Sequence, residues 1–375
     1  MAMLPFTRPD LGPEEQAAAA EVLASGWITT GPKVAAFEQA LAEYLGGGVQ
    51  VLTFNSATSA LEAVLLALGI GPGDEVIVPA MSFVATANVV TRSGAVPVFV
   101  DVEPVSRNID PEAVRQAIGP RTRAILPVHF AGRSADLDAL RSLAREHGLH
   151  LIEDAAQAIG TAWQGERIGT AGNPAVFSFH PNKNLTTIEG GAVAFADAAL
   201  GERLRRLRFH GIVRDAEGGM DVPEWGGKMN LPDVHAAIGL VQLGRLDGFN
   251  TRRRELAQRY LTRLPAHPAL RLPADVAGHS WHMFCIELDF AALGTSRAAV
   301  QARLQAAGIG TGIHYPAMHL FGLYRRLGYG PGDFPQAERI GEQTLTLPLF
   351  PAMLDTDVDR VCAALTELLE ETPDA

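Results

Sequence analysis

Val51-Leu-Thr-Phe-Asn55-Ser56-Ala57-Thr58-Ser59-Ala-Leu61 reads as a short apolar strand that stops at Asn55 and gives way to a helix, capped by Ser56 and running to Gly69. The alternation continues outward from it. Val76-Ile-Val78 is a strand candidate halted by Pro79, and Pro97-Val-Phe-Val100 is another, ending at Asp101. Asp110-Pro111 offers a helix an N-cap with proline at its first position. Ala124-Ile-Leu-Pro-Val128 and Leu149-His-Leu-Ile152 are two further strands, with residues 136–147 helical between them. Short strands alternating with helices predict βαβ units, hence an α/β fold with a mostly parallel sheet covered by helices. After Pro232 the pattern becomes one long helical stretch, 236–243 and then 252–264, followed by a strand-like piece at 281–288 and helices at 297–307 and 357–369. We expect a large domain over residues 1–250 and a smaller C-terminal α+β domain over residues 251–375.

Composition narrows the function classes. The chain has 375 residues, 47% hydrophobic and 19% charged, as ordinary globular proteins do. A formal net charge of -11 argues against a nucleic-acid surface. Arg203, Arg205, Arg206 and Arg208 read as one solvated helix face. The first residues lack the basic start and long apolar run of a signal peptide, and no stretch has the roughly 18 apolar residues of a membrane helix. A cytoplasmic protein without membrane association is expected. Cys285 and Cys362 lie far apart, outside disulfide or zinc spacing, so no metal is expected.

Only three of the 31 Lys and Arg residues are lysines: Lys33, Lys183 and Lys228. A chain so biased to Arg keeps lysine where Arg cannot substitute, as in an amine that must lose its proton and attack a carbonyl. Lys183 lies in Phe177-Ser-Phe-His-Pro-Asn-Lys-Asn184, after an apolar run and before Gly190-Gly191, which suits a loop lining a cavity. Three other stretches end strands with polar or special residues. Asn55 to Ser59 starts a helix, whose free N–H groups bind anions, although Ser56 also suits a plain cap. Phe83 follows a strand-stopping proline and fits either a core or a ring-stacking platform. Glu153-Asp154-Ala155-Ala156-Gln157 puts two acids at a strand end, where carboxylates also cap helices. Since ligands of an open parallel sheet bind at its strand ends, the four stretches together meet one demand, pyridoxal 5'-phosphate. It needs a phosphate cradle, a carboxylate for the pyridine nitrogen, cover on both ring faces and a Schiff-base lysine.

These motifs, with Gly71-Pro-Gly-Asp-Glu-Val-Ile-Val-Pro79, Ser25-Gly-Trp-Ile-Thr-Thr-Gly-Pro32 and Gly310-Thr-Gly-Ile-His-Tyr315, resemble the DegT/DnrJ/StrS family of nucleotide-sugar aminotransferases over nearly the whole chain. The resemblance implies the type I (aspartate aminotransferase-like) fold. Within the family, Lys228-Met-Asn-Leu-Pro-Asp233, Asn250-Thr-Arg-Arg-Arg254 and Trp281-His-Met-Phe284 are most similar to the branch that aminates UDP-linked 4-keto-arabinose. Phe83 stands where that branch carries Trp, and Gln157 where His is also common.

Carried over by position, the resemblance implies Lys183 as the Schiff-base and proton-shuttling residue and Asp154 as the partner of the ring nitrogen. Gln157 would bond the 3'-oxygen, and Phe83 and Ala156 would sandwich the ring. Ala57 through its N–H, Thr58 and Ser178 would hold the phosphate, with Asn230 reaching it from a neighbouring subunit of a homodimer. Of His180, His314 and His319, only His314 is expected to touch substrate, with Trp27 and Thr29 bordering the sugar pocket. The implied partners are an amino-acid donor, L-glutamate, and a UDP- or dTDP-linked keto-sugar. Two alternatives are a dehydratase of the same fold, whose lysine is replaced by histidine, and a non-catalytic sugar-binding or regulatory protein. Lys183 counts against the first, and the intact Lys183, Asp154 and Ser178 against the second. A nicotinamide enzyme would need a G-x-G-x-x-G turn that the first strand lacks.

Overall fold

The computed structural model describes residues 3–371. Eight strand segments build its principal sheet: β1 (Gln50–Phe54), β2 (Glu75–Pro79), β3 (Val96–Val100), β4 (Thr122–Ile125), β5 (His150–Leu151), β6 (Glu153–Asp154), β7 (Ala175–Ser178) and β8 (Gly191–Phe195). One half runs β3-β2-β4-β5, parallel throughout, and the other β6-β7-β8-β1. β5 and β6 flank Ile152 in sequence, and a parallel bridge from Val128 to Asp154 ties the halves together.

The second half departs from simple βαβ winding. β6 and β7 are parallel, but β8 runs antiparallel to both β7 and β1. The physical reason is the connection. Residues 179–190 contain no helix, and a strand can return beside its predecessor without a crossover only antiparallel. β1, expected as the first strand of a parallel series, is therefore an edge strand paired to β8. One register line runs across this half, with Phe54 opposite Gly191 and Gly191 opposite Ser178. The carboxyl ends of β1, β6 and β7 and the start of β8 thus meet at one sheet edge, and the connection bearing Lys183 lies there.

Gly191 makes the close approach possible. A Cβ at this position would sit 2.4 Å from the Ala57 nitrogen and 2.6 Å from the Ser56 carbonyl carbon. Only glycine lets β8 pass so near the start of the helix Ala57–Ala67. That helix and Ala85–Ser93 cover one face of the sheet, with Leu61, Val64, Val78, Val90 and Phe195 in the core between them. On the other face Phe37, Leu41, Phe177, Phe179 and Ala236 form a second core.

The long helical stretch expected over 236–264 is one helix, Asp233–Arg263. Gly244 and Gly248 lie inside it, and each costs only about 1 kcal/mol in a helix, which packing at both ends outweighs. Leu243 and Leu246 pack on the large-sheet core, whereas Leu256, Ala257 and Tyr260 enter a separate core with Trp281, Phe284, Leu347 and Leu365. A small antiparallel sheet, Leu270–Arg271, Phe284–Leu288 and Thr344–Leu347, lies in that second core. The C-terminal stretch does not keep to itself: Met318, Tyr324, Ala337 and Ile340 pack back onto the large-sheet core. A buried ion pair also crosses between the regions, from Arg107 Nε to Glu287 at 3.1 Å.

Candidate active site

Asp154 ends β6 with a carboxylate only 4% exposed. Its Oδ2 accepts the Thr86 hydroxyl at 2.8 Å and its Oδ1 the Ala156 N–H at 3.1 Å. Burial pushes its pKa up, and those two bonds together with the nearby Lys183 charge oppose the rise. Lys183 is brought to the same place by its loop. The Lys183 N–H closes a turn onto the His180 carbonyl at 2.8 Å. The buried Asn184 amide then donates to Asn250 Oδ1 on the long helix at 2.7 Å and to the Ser280 carbonyl at 2.8 Å. Desolvation lowers the Lys183 pKa to about 8, against the pull of Asp154 in the other direction.

Around these two groups lies a cavity of about 290 Å³. Ala57, Thr58, Phe83, Asp154, Ala156, Gln157, Ser178, Lys183 and His314 all line it. Phe83 is 55% exposed, unusual for so large an apolar ring, and so offers a free face, with the Tyr315 ring 6.1 Å away. The Gln157 Oε1 accepts the Ala131 N–H at 2.9 Å, which leaves its NH₂ to donate to a ligand. His314 Nδ1 is bonded to the Thr346 hydroxyl at 2.8 Å, and burial, with Lys183 nearby, lowers its pKa to about 4. A larger depression of about 630 Å³ beside Leu293, Arg303 and Glu371 offers no such chemistry, since Arg303 is exposed and paired with Glu371.

Trp27, Thr29 and Asn230 do not line the cavity of their own chain. Trp27 borders a separate depression with Val22, Lys33 and Asp233. The reason is Asp233 at the start of the long helix. Its carboxylate takes the N–H groups of Gly31, Lys33 and Val34, and its own N–H goes to the Thr29 carbonyl, which fixes this segment there. Asn230 Nδ2 bonds the Thr30 hydroxyl at 2.5 Å, and Lys228 donates to Asn230 Oδ1. Trp27 and Thr29 thus lie away from the cavity that their own chain forms.

The structure adds groups the sequence reading left unassigned. Ser82, His180, Asn182, Glu189 and Tyr315 also line the cavity, and His282 Nε2 lies 3.4 Å from Lys183 Nζ. His282 lies in the Trp281–Phe284 motif, but nothing in that stretch gave it a role, because the contact spans 99 positions.

Residues 9–366 match the DegT/DnrJ/EryC1/StrS aminotransferase family. The chain belongs to that family. It is 39% identical to DesV of S. venezuelae, whose structure was solved with a ketimine intermediate, covering 99% of this chain and 100% of that one with a TM-score of 0.92. The PLP form of the Streptococcus pneumoniae sugar aminotransferase Spr1654 matches at 31% identity, over 99% and 100% of the two chains, with a TM-score of 0.93. DesI, solved in the presence of its TDP-sugar product, matches at 33% identity, over 99% and 93%, with a TM-score of 0.89. The cofactor of this aminotransferase is pyridoxal 5'-phosphate, and the cavity fits it. At the start of the helix Ala57–Ala67, Ser56 already accepts the N–H groups of Ser59 and Ala60. The N–H groups of Ala57 and Thr58 are thus left for a phosphate.

An amine attacks an aldehyde only when neutral. The rate at which cofactor-free, full-length protein captures pyridoxal phosphate should therefore rise with pH and level off above a midpoint near 8, as absorbance shows. A midpoint at the ordinary lysine value of 10.5 would mean that the cavity does not desolvate Lys183.

Proposed function

We propose that this chain moves an amino group from L-glutamate to a keto group of a nucleotide-linked sugar, such as a UDP-4-keto-pentose or hexose. It works as a cytoplasmic homodimer whose active sites take residues from both subunits. The observation that carries this reading is the meeting of Lys183 and Asp154 in one cavity with a phosphate-ready helix start and an uncovered aromatic ring. Membership of the family and the TDP-sugar product in the DesI structure support the substrate class. Among the described residues no helix is long and apolar enough to cross a membrane.

When bound, pyridoxal phosphate supplies an aldehyde to take up the amine and a ring to hold the electron pair of the reacting carbon. The protein does the rest. Asp154, oriented by Thr86 and Ala156, holds the proton on the ring nitrogen. Phe83 and Ala156 bound the ring, Gln157 donates to its 3'-oxygen, and Ala57, Thr58 and Ser178 hold the phosphate. Lys183 Nζ would carry the proton between the substrate carbon and the cofactor's aldehyde carbon, as a base poised near working pH. His314, neutral at pH 7, offers the sugar a hydrogen bond rather than a charge. Trp27, Thr29 and Asn230, clustered away from their own cavity, serve the cavity of the other subunit.

Holoenzyme should show a yellow band near about 420 nm, bleached by L-glutamate and restored by the accepted member of a panel of UDP- and dTDP-keto-sugars. Return of the band with simple keto acids alone, and with none of the sugars, would overturn the substrate class. Sharing of sites has its own test. Lys183→Ala and Asn230→Ala should each be inactive or nearly so. Refolded as a mixture, they should recover about a quarter of wild-type activity, because half the dimers then contain one intact site. Two variants that stay inactive together would place Asn230 at the site of its own chain.

A further inference from the structure

Among the described residues, the one hydrogen-bond partner of Lys183 Nζ is His282 Nε2, at 3.4 Å. His282 is held through its backbone from two sides. Its N–H donates to the Ala131 carbonyl at 2.9 Å, and its carbonyl accepts from Arg253 at 3.2 Å. Ala131 in turn gives its own N–H to Gln157, so the imidazole hangs from the turn that orients a cofactor-facing amide. His282 is 3% exposed, and its Nδ1 meets no partner among the described residues. The groups acting on it are Lys183, Arg253, His314 and His180, and with burial they hold its pKa well below the usual histidine range.

That set of facts decides which way the hydrogen bond runs. A neutral imidazole carries one N–H. Placed on Nδ1, it would be a buried donor with no acceptor, which is costly; placed on Nε2, it faces Nζ. The bond then needs a lone pair on Nζ. A neutral amine has one, whereas an ammonium has three donors and none.

We propose that His282 is the positioning residue of the free Lys183 amine: its Nε2–H binds the Nζ lone pair, aims the amine into the cavity and disfavours its protonation. It acts whenever Lys183 is not joined to the cofactor, as in the half of the cycle when the amino group rides on the cofactor. This rests on Lys183 being the cofactor-bearing lysine. Arg253 acts one step further out. It reaches the carbonyls of His282 and Leu349, the latter at 2.9 Å, and so fixes the segment that carries the imidazole.

The test follows cofactor capture by full-length protein across pH. His282→Leu removes both ring nitrogens while keeping an apolar bulk, and His282→Gln puts an amide N–H near the position of Nε2–H. The Leu variant should move the capture midpoint up by about one unit, which slows capture roughly tenfold below that midpoint. The Gln variant should recover most of the shift, a rescue that a space-filling role would not give. An unmoved midpoint in a Leu variant that still forms the yellow band would overturn the role of His282 and leave Lys183 standing. A wild-type protein that forms no band would sink the reading of Lys183 itself. A measurement without variants covers the case in which the Leu variant does not fold. ¹⁵N-histidine spectra of full-length, cofactor-free protein should show His282 as the neutral Nε2–H tautomer at about pH 9, above the capture midpoint near 8 where Nζ has its lone pair. An imidazolium, or a proton on Nδ1, would contradict the proposal.

Discussion

A lysine amine held out of water beside a buried carboxylate is the constraint on which the rest depends. Lys183 must shed its proton near pH 8 to act as nucleophile and base, and Asp154 must stay close enough to serve the cofactor ring without locking the lysine as an ammonium. Desolvation favours the first demand, and the Asp154 charge opposes it. The fold resolves the conflict by giving each group its own partners. Asp154 is satisfied by Thr86 and by the Ala156 N–H, and Nζ by His282.

The architecture follows from that placement. A helix-free return from β7 to β8 sets Lys183 where the strand ends meet, and Gly191 allows that return to press against the helix start that takes the phosphate. Asn184 ties the same loop to Asn250, which lies on the long helix linking the two cores. Arg253, 2% exposed and three residues further along, spends its donors on the carbonyls of Trp281, His282 and Leu349, with no carboxylate partner among the described residues. A buried cation without a counter-charge is expensive. Here it braces the junction between the cores and adds to the positive field that keeps His282 neutral.

Much of this was legible because the chemistry sits where strands end. Asn55 to Ser59, Phe83, Glu153 to Gln157 and Ser178 to Lys183 are contiguous motifs, and each is brought to the cavity by the strand or helix it borders. What stayed hidden depends on contacts remote in sequence. The antiparallel placing of β8 is set by a connection whose lack of helix shows no positive signal. His282 needs the return of a distant segment to reach Lys183. Trp27 and Thr29 were read by likeness alone, and the pull of Asp233 on Gly31, Lys33 and Val34 keeps them from their own cavity.

The scarcity of lysine makes the central claim unusually direct to test. Holoenzyme reduced with borohydride retains the cofactor as a stable amine on the lysine that carried it, and digestion with mass spectrometry identifies the peptide. With only Lys33, Lys183 and Lys228 available, the pyridoxyl group should appear on Lys183 alone. A label on Lys33 or Lys228, or a reduced holoenzyme with no labelled peptide, would contradict the account.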